Sequence, residues 1–183
     1  DTSFPVVTIA WNASDLDGVE SITEIQIALN DTDNFVSLPG NVRLVTLRGV
    51  NLNSANPEVE ILIDASPQNI YSEKLQGILL NGQNKILIRA NDLSGAASEM
   101  IQLPDTTSTW FVKKPKGEVL IFDDYSITSF NQQQSEFYNQ IFSTINGGVL
   151  AGKFDVFDLA SNPIAFESVT ILETLKLFKY VFW

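Results

Sequence analysis

The stretch Trp110-Phe111-Val112-Lys113-Lys114-Pro115-Lys116-Gly117-Glu118-Val119-Leu120-Ile121-Phe122-Asp123-Asp124 decides the organisation of the chain. Trp110 to Val112 can close a set of short strands, and Lys113 to Gly117 then concentrates charge, proline and glycine, a combination that favours neither strand nor helix. Beyond it Val119 to Phe122 is a continuous apolar run, the signature of a strand buried on both faces of a parallel sheet. The period of the sequence changes across these residues, which predicts two domains: residues 1–113, a linker at 114–117, and residues 118–183.

Upstream, the sequence from Pro5 to Pro104 breaks into short apolar runs separated by Asn, Asp, Gly, Ser and Pro, as in an antiparallel β-sandwich. Val7, Ile9 and Trp11 alternate with Val6, Thr8 and Ala10, and Ile25, Ile27 and Leu29 with Glu24, Gln26 and Ala28. Val59, Ile61 and Ile63 alternate likewise, as do Ile86, Ile88 and Ala90. Side chains of a strand point to opposite faces with period two, so each set is expected to face one core. Asn41 to Val50 reads as a further strand, Asn81-Gly82 as a tight turn, and Pro67 to Leu75 leaves room for one helical turn.

The run from Leu80 to Ser98 resembles the penultimate strand and following turn of bacterial immunoglobulin-like and fibronectin type III-like modules. Trp11 with Ala13-Ser14-Asp15-Leu16-Asp17-Gly18 resembles their first strand and the loop after it. The resemblance implies an Ig-like or FnIII-like sandwich over residues 1–113, lengthened between Asp31 and Pro57.

Downstream, a helix is expected from Ser135, as N-cap, to Ile145, with Phe137, Tyr138, Ile141, Phe142 and Ile145 on its inner side and Gly147-Gly148 as its stop. Phe154 to Leu159 reads as a second strand, and Ser168 caps a second helix with Val169, Leu172 and Leu175 inward. Tyr180 to Trp183 reads as a third strand. The aromatic side chains Phe137, Tyr138, Phe142, Phe154, Phe157 and Tyr180 are expected in the core. This βαβαβ order resembles the start of a flavodoxin-like or class I glutamine-amidotransferase-like domain, a three-layer parallel-sheet fold. Three parallel strands with two helices leave an edge open, so the natural polypeptide is expected to continue past Trp183.

The 183 residues carry 22 acids and 11 bases, a formal charge of −11, which repels phosphate backbones and disfavours nucleic acid as a partner. No apolar run reaches the length of about 18 residues needed to span a bilayer, so membrane insertion is not expected. Cysteine and histidine are absent. That removes thiolate nucleophiles, imidazole bases, disulfides and Cys/His zinc sites from this chain. The amidotransferase resemblance implies a Cys nucleophile and a His base, and this sequence has neither. Lys153 and Ser126 show no activating partner in the sequence, and no catalytic residue is expected.

Two acidic features bear on metals. Asp15-Leu16-Asp17-Gly18 has the oxygen-rich alternation of a calcium loop, although Asx-turn chemistry explains it equally, as it does Asn30, Asp31, Asp33 and Asn34. Asp123-Asp124 stands at the carboxyl end of the first α/β strand, where open sheets bind ligands and where receiver domains hold magnesium. Asp15, Asp17, Asp123 and Asp124 are therefore the candidate metal ligands, calcium the candidate ion, and no other cofactor is expected. Asn12-Ala13-Ser14 and Asn30-Asp31-Thr32 match the N-glycosylation triplet.

The expected function is that of a non-enzymatic structural or binding module of an extracellular assembly, on a bacterial surface or in a tailed-phage virion, with protein partners. A spacer joined to an incomplete α/β unit of a secreted hydrolase is the alternative. A carbohydrate-binding accessory, which needs exposed aromatic side chains on one sandwich face, is a third reading.

Overall fold

A computed structural model of the chain describes residues 1–124, 131–159 and 168–183. The described residues divide into two compact units, Asp1–Lys114 and Pro115–Trp183. The first is built of β-strands and the second mixes strands with two helices.

In the first unit one four-stranded antiparallel sheet contains β3 (Ile22–Leu29), β4 (Val36–Pro39), β9 (Ile86–Asp92) and β10 (Ile101–Leu103), in the order β10-β9-β3-β4. A second contains β2 (Val6–Ala10), β5 (Leu44–Val50), β6 (Glu58–Ile63) and β7 (Ile70–Leu75), in the order β2-β5-β6-β7. A third, small sheet sets β11 (Trp110–Val112) between β1 (Thr2–Ser3) and β8 (Gly82–Asn84). Strand β8 leads into β9, and both β10 and β11 pair antiparallel with this run, so Pro104 to Thr109 interrupts one long partner strand.

The two four-stranded sheets share one apolar core, which makes the unit sandwich-like. Ile25, Ile27 and Leu29 from β3, with Ile86 and Ile88 from β9, join Val45 and Leu47 from β5 and Val59, Ile61 and Ile63 from β6. Val7, Ile9, Trp11 and Ala90 pack against this cluster, so the alternating sets do face one core. Fully burying a Val, Leu or Ile contributes about 1.5–3 kcal/mol, which makes this cluster the main stabilising feature of the unit.

Several local expectations change. Residues 70–75 form a strand, not a helical turn, because Val59 and Glu60 pair with Leu75 and Lys74 and the Tyr71 hydroxyl donates to the Ser37 carbonyl at 2.6 Å. Strand β4 lies inside the segment read as an insertion. Asn81-Gly82 does not join a hairpin. Asn81 takes φ 55°, but its N–H donates to Val112 and Gly82 opens β8. That turn is organised by buried Asn84, whose amide donates to Leu79 and Gly82 while its oxygen accepts from the Leu79 N–H and from Asn30.

In the second unit β12 (Val119–Asp123), β13 (Phe154–Asp158) and β14 (Tyr180–Phe182) make a parallel sheet in the order β13-β12-β14. The central strand carries the apolar run Val119 to Phe122 and is buried along its length. Helix α1 (Asn131–Gly148) follows β12, and α2 (Ser168–Leu175) follows β13. With right-handed crossovers this order puts the helices on opposite faces. The helix α1 starts at Asn131, so Ser135 lies inside it instead of at its N-cap. Regular helical geometry stops at Ile145, and Asn146, Gly147 and Gly148 take positive φ, the conformation in which helices terminate. Gly117 has a steric role, since a Cβ there would stand 2.0 Å from the Lys153 carbonyl oxygen.

Candidate functional site

The second unit presents two surfaces with chemical potential: the carboxyl end of its sheet and its open edge. At the carboxyl end Asp123 is buried and pairs in register with Asp158, while the exposed Asp124 accepts a hydrogen bond from the indole Nε1 of Trp183 at 2.8 Å. Asp123 and Asp158 are thus neighbours at the end where open sheets bind ligands, and Asp124 follows directly in the chain. The loops that follow β12 and β13, at 125–130 and 160–167, lie outside the described residues, and so does Ser126.

Of the two edge strands, β13 and β14, the one with exposed apolar side chains along its length is β14. It pairs only with β12 among the described strands, and Tyr180, Val181 and Phe182 are all exposed. The register Val119↔Tyr180 and Ile121↔Phe182 puts the rings of Tyr180 and Phe182 on the same face as Val119 and Ile121, the face covered by α1. There Phe182 meets Phe142 edge to face, with ring centroids 5.3 Å apart.

Helix α1 uses only part of its apolar surface for the sheet. Phe142 is buried against Val119, Ile121 and Phe154, and Tyr138 packs beside it. Phe137, Ile141 and Ile145, read as core from the sequence, are exposed, Phe137 by 57%. They stand at i, i+4 and i+8, a stripe along one side of the helix. An apolar arc too wide for one sheet contact was the sequence signal for this surface. A cleft of about 510 Å³ opens between β14 and the turn after α1, lined by Val119, Val149, Leu150, Lys153, Tyr180 and Phe182 with Gly117 and Glu118. In α2, Val169 is buried as expected but Leu172 is exposed, and Glu173 is buried instead, with Lys176 2.7 Å from its carboxylate.

In the first unit Asp15 and Asp17 sit in the loop after β2. The Asp15 Oδ1 accepts the Asp17 N–H at 2.8 Å, an Asx-turn, and Asp31 and Asp33 repeat the contact at 2.9 Å. Among the described residues no group of three or more Asp or Glu is arranged to hold a metal ion. Asn30 takes φ 66° and its amide donates to Gly77 and Asn84, so a glycan on that nitrogen would remove at least one hydrogen bond of the fold. The aromatic side chains of this unit are buried or half-buried: Phe4, Trp11, Phe35, Tyr71, Trp110 and Phe111.

Half-buried polar networks cover the outer faces of both sheets. Glu24 accepts from Gln26 and Asn91, and Arg89 donates to Gln26 at 2.6 Å. Hydrogen bonds from Ser37 and then Asn91 hold the Glu24 carboxyl below its ordinary range. On the other sheet Arg48 pairs with Glu60, and Lys74 bridges Glu58 and Glu60.

No protein-family model matches this chain, and no curated protein and no solved structure matches it either.

Proposed function

We propose that this chain is a non-enzymatic structural and binding module of an extracellular assembly, a bacterial surface protein or a tailed-phage virion component. In this reading the first unit is an Ig-like or fibronectin type III-like spacer. The second, flavodoxin-like in pattern, seats another polypeptide on its open edge.

The observation that carries the reading is the exposure of apolar side chains on both the edge strand β14 and the outer stripe of α1. Parallel sheets are normally covered on both faces and along their edges, and an exposed apolar edge invites strand addition. Tyr180, Val181, Phe182, Phe137, Ile141 and Ile145 are all exposed there. The Ig-like half of the proposal draws support from the sheet order β10-β9-β3-β4. The other sheet is ordered differently, as β5, β6 and β7 form a meander beside β2.

The secreted-enzyme reading has Asp123, Asp124 and Asp158 at the carboxyl end of the sheet in its favour, without a histidine or cysteine in the sequence to act beside them. The carbohydrate reading needs exposed aromatic side chains, and those of the first unit are buried or half-buried.

Paired substitutions Val181→Lys and Phe182→Lys place charge on the edge, a device that blocks strand addition. The variant should fold and fail to be retained in the native assembly. Retention at the parental level would refute the proposal.

A further inference from the structure

Asparagine followed by glycine occurs twice in the sequence, as Asn81-Gly82 and as Asn146-Gly147. Such a pair has a chemistry of its own. Glycine, lacking a Cβ, leaves its backbone nitrogen open to the amide carbon of the preceding side chain, and attack there closes a five-membered ring.

The fold holds the two pairs differently. The Asn81 side-chain oxygen accepts the Lys114 N–H at 2.9 Å, and the Asn81 N–H donates to the Val112 carbonyl at 2.7 Å. Gly82 lies in β8 opposite Val112, and its carbonyl accepts from the Asn84 amide at 3.0 Å. A Cβ on Gly82 would stand 3.0 Å from that of Leu79. Ring closure needs the peptide between the two residues to rotate and the side chain to swing over the glycine nitrogen. At Asn81 these contacts oppose both movements.

Asn146 stands past the last regular turn of α1, at φ 49° and ψ 44°, and Gly147 follows at φ 73°. Both residues are exposed. Among the described residues the Asn146 side chain makes no hydrogen bond, and outside its own helix a Cβ at Gly147 would meet no atom within 4 Å. Neither movement is opposed there.

We infer that Asn146 is a site of spontaneous deamidation in the folded protein and that Asn81 is protected from it. The Gly147 backbone nitrogen bonds to Asn146 Cγ, the Cγ–Nδ2 bond breaks, and Nδ2 leaves as ammonia with the proton of the Gly147 amide. Water then adds to one of the two ring carbonyls. Opening at Cγ leaves aspartate, whereas opening at the backbone carbonyl carbon leaves isoaspartate, with the chain continuing through the side chain. No redox partner is needed, and water is the only co-reactant. Either product sets a carboxylate directly after the exposed Ile145, at the carbonyl end of α1, where the helix dipole disfavours negative charge.

The test is incubation of the full chain in warm, mildly alkaline buffer made with oxygen-18 water, followed by tryptic mass mapping. Lys85 and Lys116 put the two asparagines in separate peptides, and fragment ions locate the label within each. A hydrogen bond that must open before attack slows the reaction by up to about tenfold, so position 146 should gain label about tenfold faster than position 81, or more. In urea the two should react at nearly equal rates, because each is then the same dipeptide in an open chain. Three results would each overturn the inference: equal labelling of the two positions in the folded chain, faster labelling at 81, or no labelling at 146 over a time in which the urea-unfolded chain is labelled there.

Discussion

The indole of Trp183 stacks on the ring of Phe122 with centroids 4.2 Å apart. Strand β14 is thereby fastened to the central strand at the end where its backbone pairing has already stopped. Phe157 stacks on Phe122 from the neighbouring strand at 5.2 Å, so one buried ring links all three strands. Trp183 nevertheless remains 72% exposed. The edge strand is held by this ring contact, the edge-to-face contact of Phe182 with Phe142, the indole hydrogen bond and its ladder to β12.

Replacing Trp183 with alanine removes the stacking and the hydrogen bond to Asp124. An aromatic pair contributes about 0.5–1.5 kcal/mol beyond its area, so the unfolding free energy of the second unit should fall by about that amount. Chemical denaturation followed by far-ultraviolet circular dichroism checks this, and the first unit's transition should not move.

The acid limb of the first unit's stability should depend on Glu24. Hydrogen bonds from Ser37 and Asn91 lower its folded pKa, so its contribution is present above the unfolded pKa and is lost as pH falls through the folded value. Urea midpoints measured from neutral pH downward should therefore decline through the carboxylate range, and Glu24→Gln should flatten that decline. Because Glu24 is only half-buried, the effect is screened by solvent and salt.

Residues 1–114 expressed alone should melt cooperatively as a soluble β protein, since their apolar core is formed within that unit. Asp15 Oδ1 already accepts an Asx-turn hydrogen bond, so calcium or a chelator should leave the calorimetric midpoint of this fragment in place. A large rise with calcium would make Asp15 and Asp17 its ligands.

The strands of the core were legible because Ile25, Ile27 and Leu29, or Val59, Ile61 and Ile63, repeat with the period of a pleated strand. Strand β7 was not, because Tyr71, Ser72, Glu73 and Lys74 carry no such period. Its identity comes from pairing with β6, an interaction between segments that local pattern does not encode. Likewise the composition of α1 showed an apolar side without showing that, among its described side chains, Tyr138 and Phe142 are the ones that meet the sheet. The pairing of Asp123 with Asp158 likewise follows from parallel register and not from spacing.

The most direct measurement of the binding proposal is site-specific photocrosslinking in the native assembly, with a benzophenone side chain placed in turn at Phe182, Ile141 and Glu73. The first two lie on the exposed apolar surface of the second unit, and Glu73 is an exposed position on β7 of the first. Positions 182 and 141 should join the chain to the same discrete polypeptide, and the Val181→Lys, Phe182→Lys background should abolish the product formed from position 141. Crosslinking at 182 and 141 no stronger than at 73 would contradict the assignment of this edge as the surface that seats a partner.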